Sequence, residues 1–266
     1  MDVLTERSSR VVSYAKLHRA SVRRAEGRFL VEGANSVVAA LDTGRAQVVL
    51  VRGSDAGRHQ EIIERATRAG IELVELSDRA ADKLSETTTT PGIFAVCSLL
   101  DASVDDVLAT RPRLLAVAVE PREPGNAGTL IRTADAMGAD AVVLLGDSVD
   151  PHNGKCVRSS AGSVFHLPLV RERSVADGLA TLSAAGITVL ATAADAEVSL
   201  DAAGELLTRP TAWLFGNEAH GLPAEVLGAA DHRVSIPIHG RAESLNLAAA
   251  AAICLYQSAV AQQTGT

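Results

Sequence analysis

Aromatic side chains are scarce in this chain: one Trp, two Tyr and four Phe among 266 residues. Its core must therefore be built from Ala, Val, Leu and Ile, and few rings are left on which unpaired bases could stack. Cysteine is rarer still. Cys97, Cys156 and Cys254 are odd in number and far apart, which argues against a disulfide framework or a zinc site and fits a reducing cytoplasm. No run approaches the roughly 18 apolar residues of a membrane span. The nearest, "LNLAAAAAICLY" (245–256), is short and Ala-rich and suits a buried helix. The opening "MDVLTERSSR" is charged and has no apolar centre of the kind a signal peptide needs. Several chemical motifs are also missing. There is no G-x-G-x-x-G after an apolar strand, no G-x-x-x-x-G-K-[ST], no H-E-x-x-H and no G-x-S-x-G. Nicotinamide dehydrogenases, phosphate-loop nucleotidases, zinc peptidases and α/β-hydrolases are thereby disfavoured, and no metal is expected.

Positive charge is in deficit overall, at −7, but not everywhere. Residues 1–28 carry a net +4, leaving −11 for the rest. A basic arm on an acidic body can track phosphates. Arg7, Arg10, Lys16, Arg19, Arg23 and Arg24 are its candidate contacts, with a solvated amphipathic helix as the plainer reading.

Two halves follow from the hydrophobic pattern. In the first, "RFLVEG", "AQVVLV", "IELVEL" and "GIFAVCSLL" read as strands, with helical "HQEIIERATRA" and "DRAADKLSE" between them. A small α/β domain over 1–100 is expected, then a linker at 100–113 with one helical turn. In the second half, "RLLAVAVE", "AVVLLG", "VFHLPLV", "ITVLATAA", "AWLFG" and "HRVSIPI" read as strands. Their near-continuous apolar character predicts a mostly parallel sheet covered on both faces, over 112–266.

Four stretches carry polar residues that could serve chemistry, and the one after "AWLFG" lies where an open sheet keeps its ligand, at a strand C-terminus. "EPREPGNAGTLIRTADAMGAD" (120–140) runs from a strand into a helix; Asn126 suits its cap and Arg132 lies two turns in. "HNGKCVRSSAGSVFHLPL" (152–169) places Lys155 and Arg158 before a run of small residues that would let a backbone, a ligand or another chain approach closely. "FGNEAHGLP" (215–223) follows an apolar strand directly and carries Asn217, Glu218 and His220 between glycines. "IPIHGRAESLNLAAAAA" (236–252) opens a long helix at Ser244 and Asn246. Asn246 sits at the edge of an apolar segment and needs a partner, either a ligand or a backbone group.

Taken together and in this order, "NAGTLIRTADAMGA", "FGNEAHGLP" and "IPIHGRAESLNLAAAAAICLY" resemble the three signature motifs of the SpoU, or TrmH-like, branch of the SPOUT RNA methyltransferases. "RSSAGSVFHLPL" resembles the segment that branch places after its second strand. The likeness covers about 112–260, and the first half is similar to the substrate-binding domain often joined to it. In length and arrangement the chain is similar to ribosomal RNA ribose methyltransferases that include the thiostrepton-resistance enzymes.

That resemblance implies a parallel-sheet domain with a trefoil knot, binding S-adenosylmethionine in a bent form. Leu214, Gly216, Asn217, Gly221, Ile236, Ile238, Leu245 and Asn246 would hold the cofactor. Arg132, Asn126, Glu218, Ser244 and Asn246 would serve methyl transfer to a ribose 2′-hydroxyl of RNA, ribosomal RNA above all. A homodimer is implied, with Arg132 reaching across from the partner chain. Transfer RNA as substrate, or a noncatalytic RNA-binding role, are the alternatives.

Overall fold

The computed structural model describes residues 3–217 and 220–264. Contacts divide the chain into two units. The first runs to Leu100 and also takes in Asp150–His166; the second takes Asp101–Val149 and the chain from Leu167 onward. This division differs from the expected 1–100 and 112–266, because one segment of the second half folds into the first unit.

The first unit contains α1 (Ser9–Lys16), α2 (Ala20–Glu26), β1 (Arg28–Glu32), α3 (Ala34–Asp42), β2 (Ala46–Arg52), α4 (Gln60–Arg68), β3 (Glu72–Leu76), α5 (Asp78–Leu84) and β4 (Ile93–Ser98). It also contains α8 (Gly154–Ser160), helices being numbered in chain order. The sheet order is β1-β4-β2-β3, with β4 antiparallel to both neighbours and β2 parallel to β3. All four expected strands form. Val11, Tyr14 and Leu17 turn inward to join Leu50, Leu76, Phe94 and Val96 in one apolar cluster. The basic arm is therefore a folded part of the domain and not a free tail.

This packing corrects one of the arm's candidate contacts, Arg23, and gives a second, Arg10, a partner within the unit. Arg23 is 3% exposed and donates to Asp150 Oδ2 at 2.6 and 3.0 Å and to the carbonyls of Leu17 and His18 at 2.9 Å. A guanidinium so enclosed cannot reach an RNA phosphate; it fastens Asp150 to the first unit. Arg10 is held in a bidentate pair with Glu72 at 2.7 and 2.9 Å and bonds to the Tyr14 hydroxyl. Arg7, Lys16, Arg19 and Arg24 remain exposed.

The small-residue run of 159–163 also finds its place here. Ala161 and Gly162 both have left-handed backbones, with φ of 52° and 106°. A Cβ on Gly162 would stand 3.2 Å from the Ala39 Cβ and 3.4 Å from the Asn35 carbonyl. The run is small because it packs directly on α3. The expected strand "VFHLPLV" is accordingly shortened. Ser163–Phe165 forms a helical turn whose Phe165 stacks on Phe29, and the strand begins only at Leu169. Tertiary packing on the first unit overrides the strand propensity of those residues.

The second unit contains β5 (Asp101–Ala102), α6 (Val104–Ala109), β6 (Leu114–Val119), α7 (Pro124–Ala136), β7 (Ala141–Leu145), β8 (Leu169–Glu172), α9 (Val175–Ala184) and β9 (Thr188–Thr192). There follow β10 (Val198–Ser199), α10 (Gly204–Leu207), β11 (Thr211–Phe215), α11 (Ala224–Ala229), β12 (His232–Ser235) and α12 (Leu247–Thr264). Its eight strands run β10-β12-β9-β11-β6-β7-β8-β5, and every pairing is parallel. The stretch expected as a linker supplies β5 and α6 to this unit. Strands β6, β7 and β11 are buried at every position, which is why they read as unbroken apolar runs. Trp213 is fully buried, and its ring N–H donates to Ser258 Oγ on α12 at 2.8 Å. That bond satisfies the indole and docks α12 onto the sheet.

Candidate active site

Chain order along the second sheet reverses beside β6. From β6 the chain moves outward to β7 and β8, then returns to β9 and β11 on the other side. A crevice at such a reversal, outside the strand C-termini, is where open parallel sheets bind ligands. A cavity of about 270 Å³ lies next to it, beyond the ends of β12, β9 and β11. Six residues expected from the sequence line it: Gly216, Asn217, Gly221, Ile236, Ile238 and Leu245. Ser244 lines it too.

The loop after β11 explains its glycines. Asn217 and Gly221 exchange backbone hydrogen bonds, at 3.1 Å from the Asn217 N–H and 2.7 Å from the Gly221 N–H. Gly221 has φ of 65°, the left-handed region that suits glycine. Gly216 faces a different constraint. A Cβ there would lie 2.3 Å from the Gly221 carbonyl carbon and 2.5 Å from the Leu222 nitrogen. No side chain fits between these backbones, so the loop folds back on itself only with glycine at 216. Asn217 also donates from Nδ2 to the Glu120 carbonyl at 3.4 Å, tying this loop to the end of β6. Glu120 itself sits in the left-handed region at φ 48°, unusual for a residue with a side chain.

Three expected residues stand differently within one chain. Asn246 does find a partner, and it is a backbone group: its Oδ1 accepts from the Ala249 N–H at 2.8 Å, capping α12. It is not among the residues that line the cavity, and neither is Leu214, which is fully buried in β11 and gives its carbonyl to Thr192 Oγ1 at 2.9 Å. Asn126 does not cap α7. The helix starts two residues earlier, with Pro124 at its first position and Glu123 as its cap. Proline is pre-set for that position and lacks the N–H that would go unpaired.

Arg132 lies exposed on α7 and makes no hydrogen bond or ion pair with a described residue. Helix α7 packs against α12, so Arg132 stands on the helix beside the one that Asn246 caps. Neither Arg132 nor Asn126 lines the cavity within one chain. Glu218 lies outside the described residues.

Sequence reasoning missed Thr192, Ala193 and Ala194, which bring the end of β9 into the cavity wall, and Glu243, its one charged lining residue among those described. The signal for the first three was present, since "ITVLATAA" is a parallel strand whose C-terminal end turns small and polar. Among the described residues no group of His, Cys, Asp and Glu could hold a metal ion. Among them, too, no helix is long and apolar enough to cross a membrane. The three cysteine thiols are buried; burial pushes those of Cys156 and Cys254 up to about 12.

With this geometry in view, similarity to known proteins becomes decisive. The family described as SpoU rRNA methylase matches residues 113–256. The chain belongs to the SpoU rRNA methylase family. The MRM3-like substrate binding domain matches residues 8–95. The chain is 37% identical over 252 residues to the 23S rRNA (guanosine(2553)-2′-O)-methyltransferase RlmP of Bacillus subtilis, covering 94% of this chain and 96% of that one. It is 32% identical to the 23S rRNA (uridine(2479)-2′-O)-methyltransferase of Streptomyces viridochromogenes, over 96% of this chain and 91% of that one. The crystal structure of the SpoU methyltransferase AviRb from the same organism, in complex with the cofactor AdoMet, superposes with a TM-score of 0.83. There the identity is 29%, with 97% of this chain and all of that one covered. In this SpoU chain the cavity-lining loops fall inside the family match, and α1 to β4 carry the substrate-binding match.

Proposed function

We propose that this chain transfers the methyl group of S-adenosylmethionine to a ribose 2′-hydroxyl in structured RNA, with 23S ribosomal RNA as the substrate. The observation that carries the reading is the cavity at the ends of β12, β9 and β11, built by the two loops that hold the SpoU motifs. Relatives covering nearly the whole chain, both halves included, are named as 23S rRNA 2′-O-methyltransferases.

The residues present fit the cofactor. Gly216 lets the loop after β11 close on itself, which shapes this wall of the cavity. Ile236, Ile238 and Leu245 offer apolar walls, and Asn217 and Ser244 offer polar groups. Glu243 places a carboxylate at a wall that would face a cation. Bound there, the cofactor supplies an activated methyl group on a sulfonium, so positioning of the acceptor does much of the remaining work. Arg132 orients the ribose hydroxyl and its neighbouring phosphate. Its guanidinium donates hydrogen bonds and is a poor proton acceptor. Asn126, in the first turn of α7, steadies the ribose side. Asn246 fixes the start of α12, and its amide nitrogen is left for the ligand. Glu218 receives hydrogen bonds from the arginine or the motif backbone.

A homodimer completes the site. Ile253, Tyr256 and Val260 lie 36%, 56% and 40% exposed along one side of α12, a stripe of apolar surface suited to a second copy. Arg132, on the neighbouring α7, would then serve the partner's cavity. Membership of the SpoU family supports a trefoil knot in the second unit, an exception to ordinary connection rules. The free cysteines fit a cytoplasmic enzyme. Transfer of labelled methyl to unmodified ribosomal and transfer RNAs, side by side, tests the proposal. Label in 23S RNA alone is expected; label in transfer RNA alone would replace the substrate.

A further inference from the structure

A second cavity, of about 400 Å³, lies wholly within the first unit. It opens where β1 ends and α3 begins, beside the 86–92 loop that leads into β4. Because β1, β2 and β3 all run the same way, their C-terminal ends share this edge of the sheet. Several hydrogen-bond donors converge on the cavity. The N–H groups of Ala34, Asn35 and Ser36, the first turn of a nine-residue helix, bond to no described residue. Gly33, the cap position, has no side chain to occupy them.

Ser36 supplies an independent pointer. It is 3% exposed, lines the cavity, and its hydroxyl makes no hydrogen bond with a described residue. Among the described residues, the fully sealed polar side-chain atoms without a partner are His18 Nε2 and Thr211 Oγ1, so the Ser36 oxygen is not sealed: it opens onto the cavity. A buried hydroxyl left unbonded is costly unless something outside the chain bonds to it. Asn35 and Thr89 add exposed polar side chains at the rim.

Within the wall itself one carboxylate, Glu32, meets one cation, Arg158. Glu32 Oε1 accepts from Arg158 Nη1 at 3.0 Å, and Glu32 Oε2 accepts from the Glu86 N–H at 3.2 Å. Arg158 also bonds to Glu86 at 3.0 Å, and Glu86 faces His18 at 3.3 Å. The Glu32 carboxylate is thus already engaged, and the unpaired N–H groups at the start of α3 remain open to an anion. Unpaired amides at a helix start, with a free hydroxyl, suit a phosphate. The cavity has room for more than the phosphate alone.

We propose that this cavity holds a ribose–phosphate unit of the RNA backbone, seated on the first turn of α3. This deepens the reading of the chain as an RNA methyltransferase and rests on it. Part of the substrate's grip then comes from the strand-end edge of the first unit, away from the exposed cations of α1 and α2. The segment 150–166 also gains a role in binding, since Arg158 and Ala161 belong to this cavity's wall.

Asn35→Asp tests the proposal cleanly. The side chain is exposed and isosteric, and a carboxylate in the first turn favours the helix, so the variant folds. The same carboxylate repels a phosphate. Binding of an unmodified 23S RNA transcript is measured by filter retention across a salt series. The expected result is affinity lower by roughly tenfold, with a salt slope shallower by about one phosphate contact. Ser36→Ala should weaken binding in the same direction, by a smaller factor. Wild-type affinity and slope in both variants overturn the proposal. Calorimetry with inorganic phosphate separates the sources: heat in the wild type, with RNA affinity unchanged in Asn35→Asp, marks a free-anion site and also overturns it. Methyl transfer by the wild type is run alongside. Transfer with unaffected variants sinks this site alone, whereas no RNA binding and no transfer by the wild type sinks the methyltransferase reading with it.

Discussion

Replacing Gly216 by Ala is the sharpest probe of the cofactor loop. The added methyl would begin 2.3 Å from the Gly221 carbonyl carbon, whereas ordinary carbon contacts lie at about 3.5–4.0 Å. The atoms in the way are backbone and cannot swing aside as a side chain could. The Gly221 strand of the loop must retreat by more than about 1 Å. That movement breaks the paired hydrogen bonds between Asn217 and Gly221, now at 3.1 and 2.7 Å. Two such bonds contribute about 1 kcal/mol each, and residual crowding adds about 1 kcal/mol or more. About 3 kcal/mol corresponds to roughly a hundredfold loss of affinity for S-adenosylmethionine. Gly221→Ala is the matched control. Its Cβ would meet nothing within 4 Å, and only the φ of 65° opposes it. That strain is about 1 kcal/mol, a loss of roughly fivefold. Calorimetric titration of the cofactor into both variants gives the comparison. Wild-type affinity in Gly216→Ala, or a larger loss in Gly221→Ala, would refute the reasoning.

Other consequences can be measured directly. Arg23→Ala leaves the Asp150 carboxylate buried without its cation and should cost about 3–5 kcal/mol in urea unfolding; a loss under about 1 kcal/mol would show that Arg23 is not the fastening. Replacing Lys16, Arg19 and Arg24 together by Ala should flatten the salt dependence of RNA binding without changing the unfolding midpoint, and an unchanged slope would clear the arm of RNA contact. Acid should loosen the first unit. Burial pushes the Asp150 carboxyl up, but hydrogen bonds from His152 and Arg23 outweigh it and hold the group below its ordinary range. The hydrogen bond with His18, then that with Arg158, brings Glu86 down to about 2. Both carboxylates have depressed folded values, so their stabilisation is present above about pH 4.5 and is lost as pH falls toward 2. The variant Asp150→Asn should be less stable at pH 7 and show a shallower decline between pH 4.5 and 2; a parallel decline would reject this pair as the acid-labile tie.

Much of the fold was legible because burial on both faces leaves a plain trace. The runs at 114–119, 141–145 and 211–215 are apolar at nearly every position, and all three are central strands. The two-unit division was not legible in full. Arg23 and Asp150 lie 127 residues apart, and nothing local says that they meet. Arg23 looked like another arm cation, because charge composition cannot distinguish a solvated guanidinium from one that four hydrogen bonds enclose. The strand propensity of "VFHLPLV" was real, but Phe165 is claimed by Phe29 across the first unit. At the site, the glycine-bounded loop after β11 was readable as a ligand loop, since a parallel sheet places its ligand at strand ends, whereas Ile236, Ile238 and Leu245 were legible only through the family likeness. The capping role of Asn246 was one of two readings left open, and only the Ala249 N–H decides it.

The central claim is methyl transfer to a ribose hydroxyl, and one measurement meets it most directly. Unmodified 23S RNA is incubated with the protein and methyl-labelled S-adenosylmethionine, then hydrolysed in alkali. A 2′-O-methyl group blocks cleavage at its own nucleotide, so the label should appear in an alkali-resistant dinucleotide. Arg132→Ala should lower the rate of its formation by at least about a hundredfold while cofactor affinity stays at the wild-type value. Label released in mononucleotides would place the methyl on a base, and undiminished transfer by Arg132→Ala would remove that arginine from the reaction; either result contradicts the account.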